Sequence, residues 1–494
     1  MNHAVIFNIH TFGPRRPAGA YRIASFLREH DWDIEVIEYA NRFSIEELQE
    51  VARSRITSST VFFGFSPFLQ TWEDKFKKFT AWLKKTYPTV KLIIGSQARP
   101  RIEDSNIDYF ITGYGEKATL ALLQSITGNT SVPVAFDPKY FGSKKVITAN
   151  DSYPSYPMNS LMIKYEDRDY IQPWEWLTIE LTRGCKFKCS FCNFPVLGVK
   201  GDYSRDAEDF EIQLKDAYDR FGTKNYYITD ETFNDYTEKV TKYADVVDRL
   251  PWKPYFTAFI RADLLVSRRN EWDELIRMGV FGHFYGVETM NHASGKAIGK
   301  GMSPDKLMPG LVNVKEHFLK HGSYRGEISL IAGLPHETPE TLQKTFKWIE
   351  DNWQGQAANM WPLEIPINPT TDALSFMSAN YKDFGYRESS KPYPIFKDPN
   401  DHEIVNNETI QHGFSNLNWE NDYMDFTEAS NITTAWYEKV GNKELDLRWS
   451  PFSVGDFWDK SIDEFMRMHQ YDFNLNDNHI IKSYINKKLN RDNK

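Results

Sequence analysis

The sequence predicts an α/β protein built on parallel sheets, and three observations carry that prediction. Residues 1–130 alternate short apolar strands with helices. Residues 176–368 repeat the same alternation through six cycles. The chain has 494 residues, 41% hydrophobic and 26% charged, an ordinary globular composition with room for roughly two to four domains. Strands that alternate with helices of this length form βαβ units, and such units build parallel sheets.

In the first array Val5–Ile9 is a short apolar strand, and Ala18–Glu29 is a helix with Tyr21, Ala24, Phe26 and Leu27 mostly on one side. Ile34–Glu38 alternates as a strand does. The next helix has Ser44 as N-cap with Glu47 three residues on, the capping-box pattern. Val61–Phe65 reads as a buried strand. Trp72–Tyr87 reads as a helix with Phe76, Phe79, Trp82 and Leu83 recurring every three or four residues. Lys91–Gly95 and Tyr109–Thr112 are strands, and Glu116–Ile126 is a helix. A doubly wound sheet of this kind binds ligands outside the carboxyl ends of its strands.

Gly128–Asp169 is rich in Asn, Ser, Pro and Tyr and reads as a linker with little regular structure. The second array then has strands at Leu177–Thr182, Tyr226–Thr229, Tyr255–Ile260, His283–Glu288, Glu327–Ala332 and Met360–Ile367. Its helices are clearly punctuated. Asp206–Phe221 stops at Gly222, Ser267–Met278 stops at Gly279, and Pro339 takes the first helical position after Thr338. Six βα units in series suggest a partial (β/α)6 TIM-type barrel, with its active site at the carboxyl ends of the strands. An open doubly wound sheet has the same periodicity. The remainder is mainly helical. Tyr381–Ile404 reads as a loop or lid, Trp419–Val440 and Ser461–His469 as helices, and Lys482–Lys494 as a frayed tail.

Net charge is −9, and the basic clusters, such as Lys84–Lys85 and Arg268–Arg269, are short. That balance argues against a nucleic-acid partner, which needs clustered cations to displace counterions. No apolar run approaches the roughly 20 residues of a membrane span, and the N-terminus lacks the pattern of a signal peptide. The expected compartment is the cytoplasm, with no membrane partner.

All three cysteines, Cys185, Cys189 and Cys192, fall within eight residues after the first strand of the second array. An odd count rules out a fully paired disulfide framework. Three soft thiolates gathered on one loop suit a metal or cluster. A structural zinc site normally takes four protein ligands, and no fourth cysteine exists. An iron–sulfur cluster with one iron open to an external ligand fits three thiolates. Zinc and three incidental buried thiols are the other readings.

The CxxxCxxC spacing, with aromatic Phe191 just before the last cysteine and six βα units around it, resembles the radical S-adenosylmethionine (SAM) superfamily. The resemblance implies a [4Fe–4S] cluster on Cys185, Cys189 and Cys192. It further implies that the free iron chelates SAM and that one electron cleaves SAM to methionine and a 5′-deoxyadenosyl radical. Four later motifs match the family's SAM contacts. Asp230-Glu231 stands where an acid holds the SAM ammonium, with either residue as candidate. Arg261, in Phe-Ile-Arg-Ala-Asp263, is placed to pair with the SAM carboxylate. Gly286-Val-Glu288-Thr289 is similar to the family's Gly-x-Glu-Ser. Gly333-Leu-Pro-His336-Glu337-Thr338 is similar to Gly-Leu-Pro-Gly-Glu-Thr, with His336 replacing a glycine.

The first array resembles the cobalamin-binding domain of the cobalamin-dependent subfamily. The matching residues are Arg16 and Gly19 after the first strand, Ser66 after the third, Gly95 after the fourth, and Gly113 and Gly115 beyond. Glycines at strand ends let backbone approach a bulky corrin. The best-known cobalamin motif, Asp-x-His-x-x-Gly with its cobalt-ligating histidine, is missing, since its His position holds Arg16 and its Asp position Pro14. Cobalamin therefore binds without a protein histidine, or the domain keeps the fold without the cofactor; His10 is the nearest histidine.

The expected organisation is a cobalamin-binding-like Rossmann domain at 1–130, a linker at 131–170, a radical SAM core barrel at 171–370 and a C-terminal substrate or lid region at 371–494. Trp419, Tyr423, Trp436, Trp449 and Trp458 in that last region read as core aromatics. The implied activity is cobalamin-dependent methylation of an unactivated carbon on a small molecule or peptide, fed by an external flavodoxin- or ferredoxin-type electron donor. A cobalamin-independent radical rearrangement, oxidation or carbon–carbon bond formation is the alternative. A non-catalytic iron–sulfur protein is a third reading.

Overall fold

The computed structural model describes residues 1–10, 15–67, 72, 74–96, 104–130, 133–137, 145–154, 158–194, 203–321, 324–365, 367, 375–390, 418–441 and 477–490. Packing divides the chain into two compact units. The first comprises Met1–Glu180, Tyr203–Tyr227 and Val454–Lys494, and the second Leu181–Asp202 and Ile228–Ser453.

In the first unit, β1 (Asn2–Ile9), β2 (Arg15–Arg16), β3 (Trp32–Ile37), β4 (Thr60–Pro67), β5 (Lys91–Ser96), β6 (Tyr109–Thr112) and β7 (Lys145–Thr148) precede β8 (Trp176–Ile179). Six of them form a parallel sheet in the order β3-β1-β4-β5-β6-β7. The direction of winding reverses beside β1, so the crevice for a ligand lies at the carboxyl ends of β1 and β4. Four helices pack by their apolar stripes: α1 (Ala18–Arg28), α2 (Ile45–Arg55), α3 (Asp74–Thr86) and α4 (Glu116–Ile126). The capping box at α2 is formed, with the Glu47 amide donating to Ser44 Oγ at 3.1 Å and the Ser44 amide to Glu47 Oε2 at 2.7 Å.

Two expectations are corrected here. The stretch read as a linker contains β7, which pairs with β6 and buries Val146 and Ile147. Four residues in polar surroundings are too short to show a period. The expected frayed tail belongs to a helix, Asp477–Leu489, that buries Ile481, Tyr484, Ile485 and Lys488. That spacing is one helical stripe, hidden in the sequence because its last member is a lysine. Lys488 Nζ bonds Glu35 Oε1 at 2.9 Å and the carbonyls of Val36 and Arg168 at 3.0 and 2.8 Å. β2 was also unforeseen; it pairs in parallel with β8.

In the second unit the strands Tyr255–Ile260, Val280–Glu288, Arg325–Ala332 and Ala357–Pro362 pair in that order, all parallel. The intervening and flanking helices include Thr237–Asp248, Asn270–Met278, Pro304–His321 and Pro339–Asn352. Gly279 ends its helix in a left-handed turn, as expected. Thr338 caps the last of these helices with Pro339 at its first turn. Trp419–Val440 is not one helix: Trp419–Glu420 is a short strand, and the helix is Phe426–Gly441. Trp419 and Trp436 are buried as core aromatics, while Tyr423 is exposed. Pro14, Trp449, Trp458, Ser461–His469 and most of Tyr381–Ile404 lie outside the described residues. Among the described residues no helix is long and apolar enough to cross a membrane.

Candidate active site

The cysteines occupy an irregular loop that is held from several sides. Ahead of it, the buried Asp230 carboxylate accepts from the amides of Leu181 at 2.8 Å and Thr182 at 3.0 Å, and from the Thr182 hydroxyl. Lys186 Nζ donates to the Asp235 carbonyl at 2.6 Å. The Ser190 amide donates to the Ile298 carbonyl at 3.2 Å, and the Met377 amide to the Ser190 carbonyl at 2.8 Å. The Cys192 amide closes a turn onto the Cys189 carbonyl at 3.1 Å.

All three thiols are free and half-buried. Burial pushes the Cys192 thiol up to about 12, and the charges of Cys189 and Cys185 add to the rise. Burial also raises Cys185, with Glu231 and Cys189 pushing the same way. The sulfurs are thus close enough to repel one another as thiolates, which a cationic group among them would relieve. Among the described residues no three His, Cys, Asp or Glu side chains are placed around a single metal ion. Three thiolates on one loop are a donor set that fits a [4Fe–4S] cluster with one iron open to an external ligand.

The structure separates the two candidate acids. Asp230 is buried with its oxygens turned to the loop's own backbone, and burial lifts its carboxyl to about 6. It positions the cysteine loop and is not presented to a ligand. Glu231 is half-buried and acts on Cys185. Beside it, Thr232 Oγ1 lies 3.7 Å from Cys185 Sγ. Phe191 is half-buried on the cysteine loop.

Arg261 departs from expectation. Its Nε and Nη2 are taken by Asp263, at 2.8 and 3.1 Å, so the fork expected for the SAM carboxylate is engaged within the chain. Its Nη1 lies 3.5 Å from Cys189 Sγ, and its guanidinium carbon sits 3.8 Å from the centre of the Phe187 ring.

Glu288 and His336 both have left-handed backbones, at φ +67° and +64°. Lys300 Nζ lies 3.5 Å from Glu288 Oε1 and donates to the Gly286 carbonyl at 2.6 Å. Burial raises the Glu288 carboxyl while Lys300 opposes the rise. A Cβ on Gly286 would stand 2.6 Å from Glu288 Oε1, which explains the Gly-x-Glu spacing. Glu337 is buried and accepts from Thr289 Oγ1 at 2.7 Å. Burial lifts its carboxyl to about 8, against the pull of the Thr289 hydroxyl and nearby amides. Gly333, at φ +94°, would drive a Cβ to 2.3 Å from the Trp419 ring. A small cleft opens here, lined by Asp263, Gly286, Thr289, Asn291, Lys300 and Met302 among others.

In the first unit, Arg16 is also corrected: it is buried and turned inward. Its Nε and Nη2 hold Glu175 at 2.9 and 2.8 Å, and its Nη1 donates to Tyr21 Oη at 2.7 Å and the Asp169 carbonyl at 2.8 Å. A buried guanidinium has to be paired, so Arg16 is structural. His10 is buried against Glu38 and is likewise part of the interior. Gly19 and Ser66 do come together, since a Cβ on Gly19 would stand 3.0 Å from Ser66 Oγ. Ser66 lies at the carboxyl end of β4, and Gly19 in the first turn of α1. Gly95 has open space around it. Gly113 is left-handed, at φ +84°, against the Asn150 side chain. Gly115 precedes α4.

Sequence reasoning missed Phe187, Thr232, Lys300 and Glu175 as members of these sites. Phe187 sits inside the cysteine motif and was readable there. Lys300 and Glu175 lie in irregular segments and carry no pattern.

A parallel α/β fold with three free thiols on one loop offers a three-thiolate donor set. Residues 179–349 match the Radical SAM superfamily, so this stretch carries a radical SAM domain. The family implies the [4Fe–4S] cluster and SAM. The structure is similar to that of TsrM from Kitasatospora setae, a radical SAM methyltransferase solved with tryptophan substrate and a SAM analogue. That match has a TM-score of 0.64 at 14% identity, over 95% of this chain and 100% of that one. TsrM with cobalamin and a [4Fe–4S] cluster bound gives a TM-score of 0.63 at 13% identity, over 95% and 99%. OxsB, a cobalamin-dependent SAM radical enzyme with aqua-cobalamin and SAM bound, gives 0.55 at 16% identity, over 78% of this chain and 56% of that one. At these identities the likeness establishes the fold, which is the α/β class read from the sequence, with its doubly wound sheet and partial barrel. No curated protein sequence matches.

Proposed function

We propose that the chain is a cobalamin-dependent radical SAM methyltransferase acting on an unactivated carbon of a small molecule or peptide. The observation that carries the radical part is the set of three free thiols on one anchored loop, with the family's motifs at the strand ends that follow. Support for the cobalamin part comes from the fold shared with two cobalamin-binding enzymes over most of this chain. When bound, the cluster supplies the electron that splits SAM, and cobalamin carries the methyl group.

The chain's own residues bind and orient. Cys185, Cys189 and Cys192 hold the cluster. Glu231, acting on Cys185, takes the SAM ammonium, while Asp230 keeps the loop in place. Thr289 and Lys300 line the cleft beside it, and Glu288 lies 3.5 Å from Lys300, so these residues would contact the rest of SAM. Gly19, Ser66, Gly95 and Gly113 are the residues that would border cobalamin. The electron comes from an external flavodoxin- or ferredoxin-type donor.

Expression with hydroxocobalamin and anaerobic purification test this reading. A bound corrinoid with its visible spectrum, and methylated product in its presence alone, are expected. Full iron and SAM turnover without any corrinoid would instead favour a cobalamin-independent radical reaction with the first unit as scaffold. The inward-turned Arg16, at the His position of the best-known cobalamin motif, is the observation that favours that second reading.

A further inference from the structure

We propose that Arg261 is a redox-positioning residue: locked in place, it donates a hydrogen bond to the Cys189 thiolate and raises the reduction potential of the cluster that the three cysteines hold. The proposal rests on the reading of those cysteines as cluster ligands.

Every part of Arg261 is fixed. Its amide donates to Asn234 Oδ1 at 2.7 Å, and its carbonyl accepts from Asn234 Nδ2 at 3.3 Å, so a buried side chain clamps its backbone from both sides. Asp263 takes Nε and Nη2, at 2.8 and 3.1 Å. Phe187, on the cysteine loop itself, stacks on the guanidinium at 3.8 Å. With two nitrogens engaged and one face covered, Nη1 is directed to Cys189 Sγ at 3.5 Å.

Arginine carries its charge at every accessible pH, so this contact is constant. Hydrogen bonds to ligating sulfur and net charge beside a cluster set its potential. Reduction adds one electron to the cluster, and a cation touching a ligand sulfur stabilises the reduced form more than the oxidised form. The same geometry explains why the fork is occupied: a guanidinium free to follow the SAM carboxylate would not hold one nitrogen on the sulfur.

The test is the potential of the one-electron cluster couple, measured by EPR on anaerobically reconstituted protein without SAM. The parent, Arg261→Gln and Arg261→Lys are compared at matched iron content. Arg261→Gln is expected to be at least tenfold less readily reduced, a fall of 59 mV or more. Arg261→Lys, which keeps charge and loses the fork, should fall between. SAM affinity, measured separately, should change less than the reduction equilibrium. An unchanged potential with weakened SAM binding would overturn the proposal and make Arg261 a substrate contact. Should Arg261→Gln hold less iron than the parent, Arg261→Lys decides alone, and parent-like potential there is equally fatal. A parent that binds no iron refutes the cysteine assignment itself, and that result is read before any potential is measured.

Discussion

Glu288 and His336 hold left-handed backbones although neither is glycine, a conformation that costs an L residue roughly 1–2 kcal/mol. Such strain gathers where the fold fixes a ligand-facing turn. At His336 the turn is held by Asn291, whose Nδ2 donates to the His336 carbonyl at 2.9 Å. His336→Gly should therefore raise the unfolding free energy by about 0.5–1 kcal/mol, after the added freedom of the unfolded glycine is discounted. Denaturant titration checks this; a destabilised variant would mean the exposed imidazole makes a compensating contact. Glu337 gives a pH signature. Its carboxyl rises from an ordinary 4.5 to about 8 in the fold, so the folded chain binds that proton more tightly than the unfolded one. The stability it contributes is full below pH 4.5 and is lost as pH rises through 8, with a slope of up to about 1.4 kcal/mol per pH unit. Glu337→Gln should flatten that slope, as unfolding measured across the window will show. The replacement of glycine by His336 was legible in the sequence. The inward turn of Asp230 and Arg16 was not, because a motif fixes residue type and spacing but says nothing about which partners a buried charge finds.

Elements were legible to the extent that their periods were long. The strands of both sheets and the helices with glycine or proline punctuation stand where the pattern put them, within a few residues. β7 and the helix Asp477–Leu489 were lost for opposite reasons. One is too short for a period, and the other ends its buried stripe on a lysine. That lysine gives a prediction at this scale. Lys488→Ala removes one of the cations on Glu35, which keeps Arg55 at 3.0 Å, and strips the carbonyls of Val36 and Arg168 of a donor. It should cost roughly 2–4 kcal/mol, seen as earlier chemical unfolding and easier proteolysis of the first unit. Gly333 offers a second. Alanine there meets both a left-handed backbone and the Trp419 ring, so Gly333→Ala should lose at least about 2 kcal/mol and release Trp419 fluorescence from its buried state. A parent-like melting curve would show that the Gly-Leu-Pro-His turn yields more easily than its contacts imply.

For the whole molecule, what matters is that one short loop carries every cysteine of a 494-residue chain and that the second unit is arranged to hold it. Asp230 anchors its start, Ser190 ties its middle to Ile298 and Met377, and Arg261 contacts its second thiol. The account stands or falls on that loop carrying a cluster with one iron open to SAM. EPR of the anaerobically reconstituted and reduced protein, with and without SAM, tests it most directly. The account predicts about four irons per chain, a cluster signal that changes when SAM is added, and loss of both iron and signal in Cys189→Ala. A signal indifferent to SAM, or iron retained in full by Cys189→Ala, would contradict it.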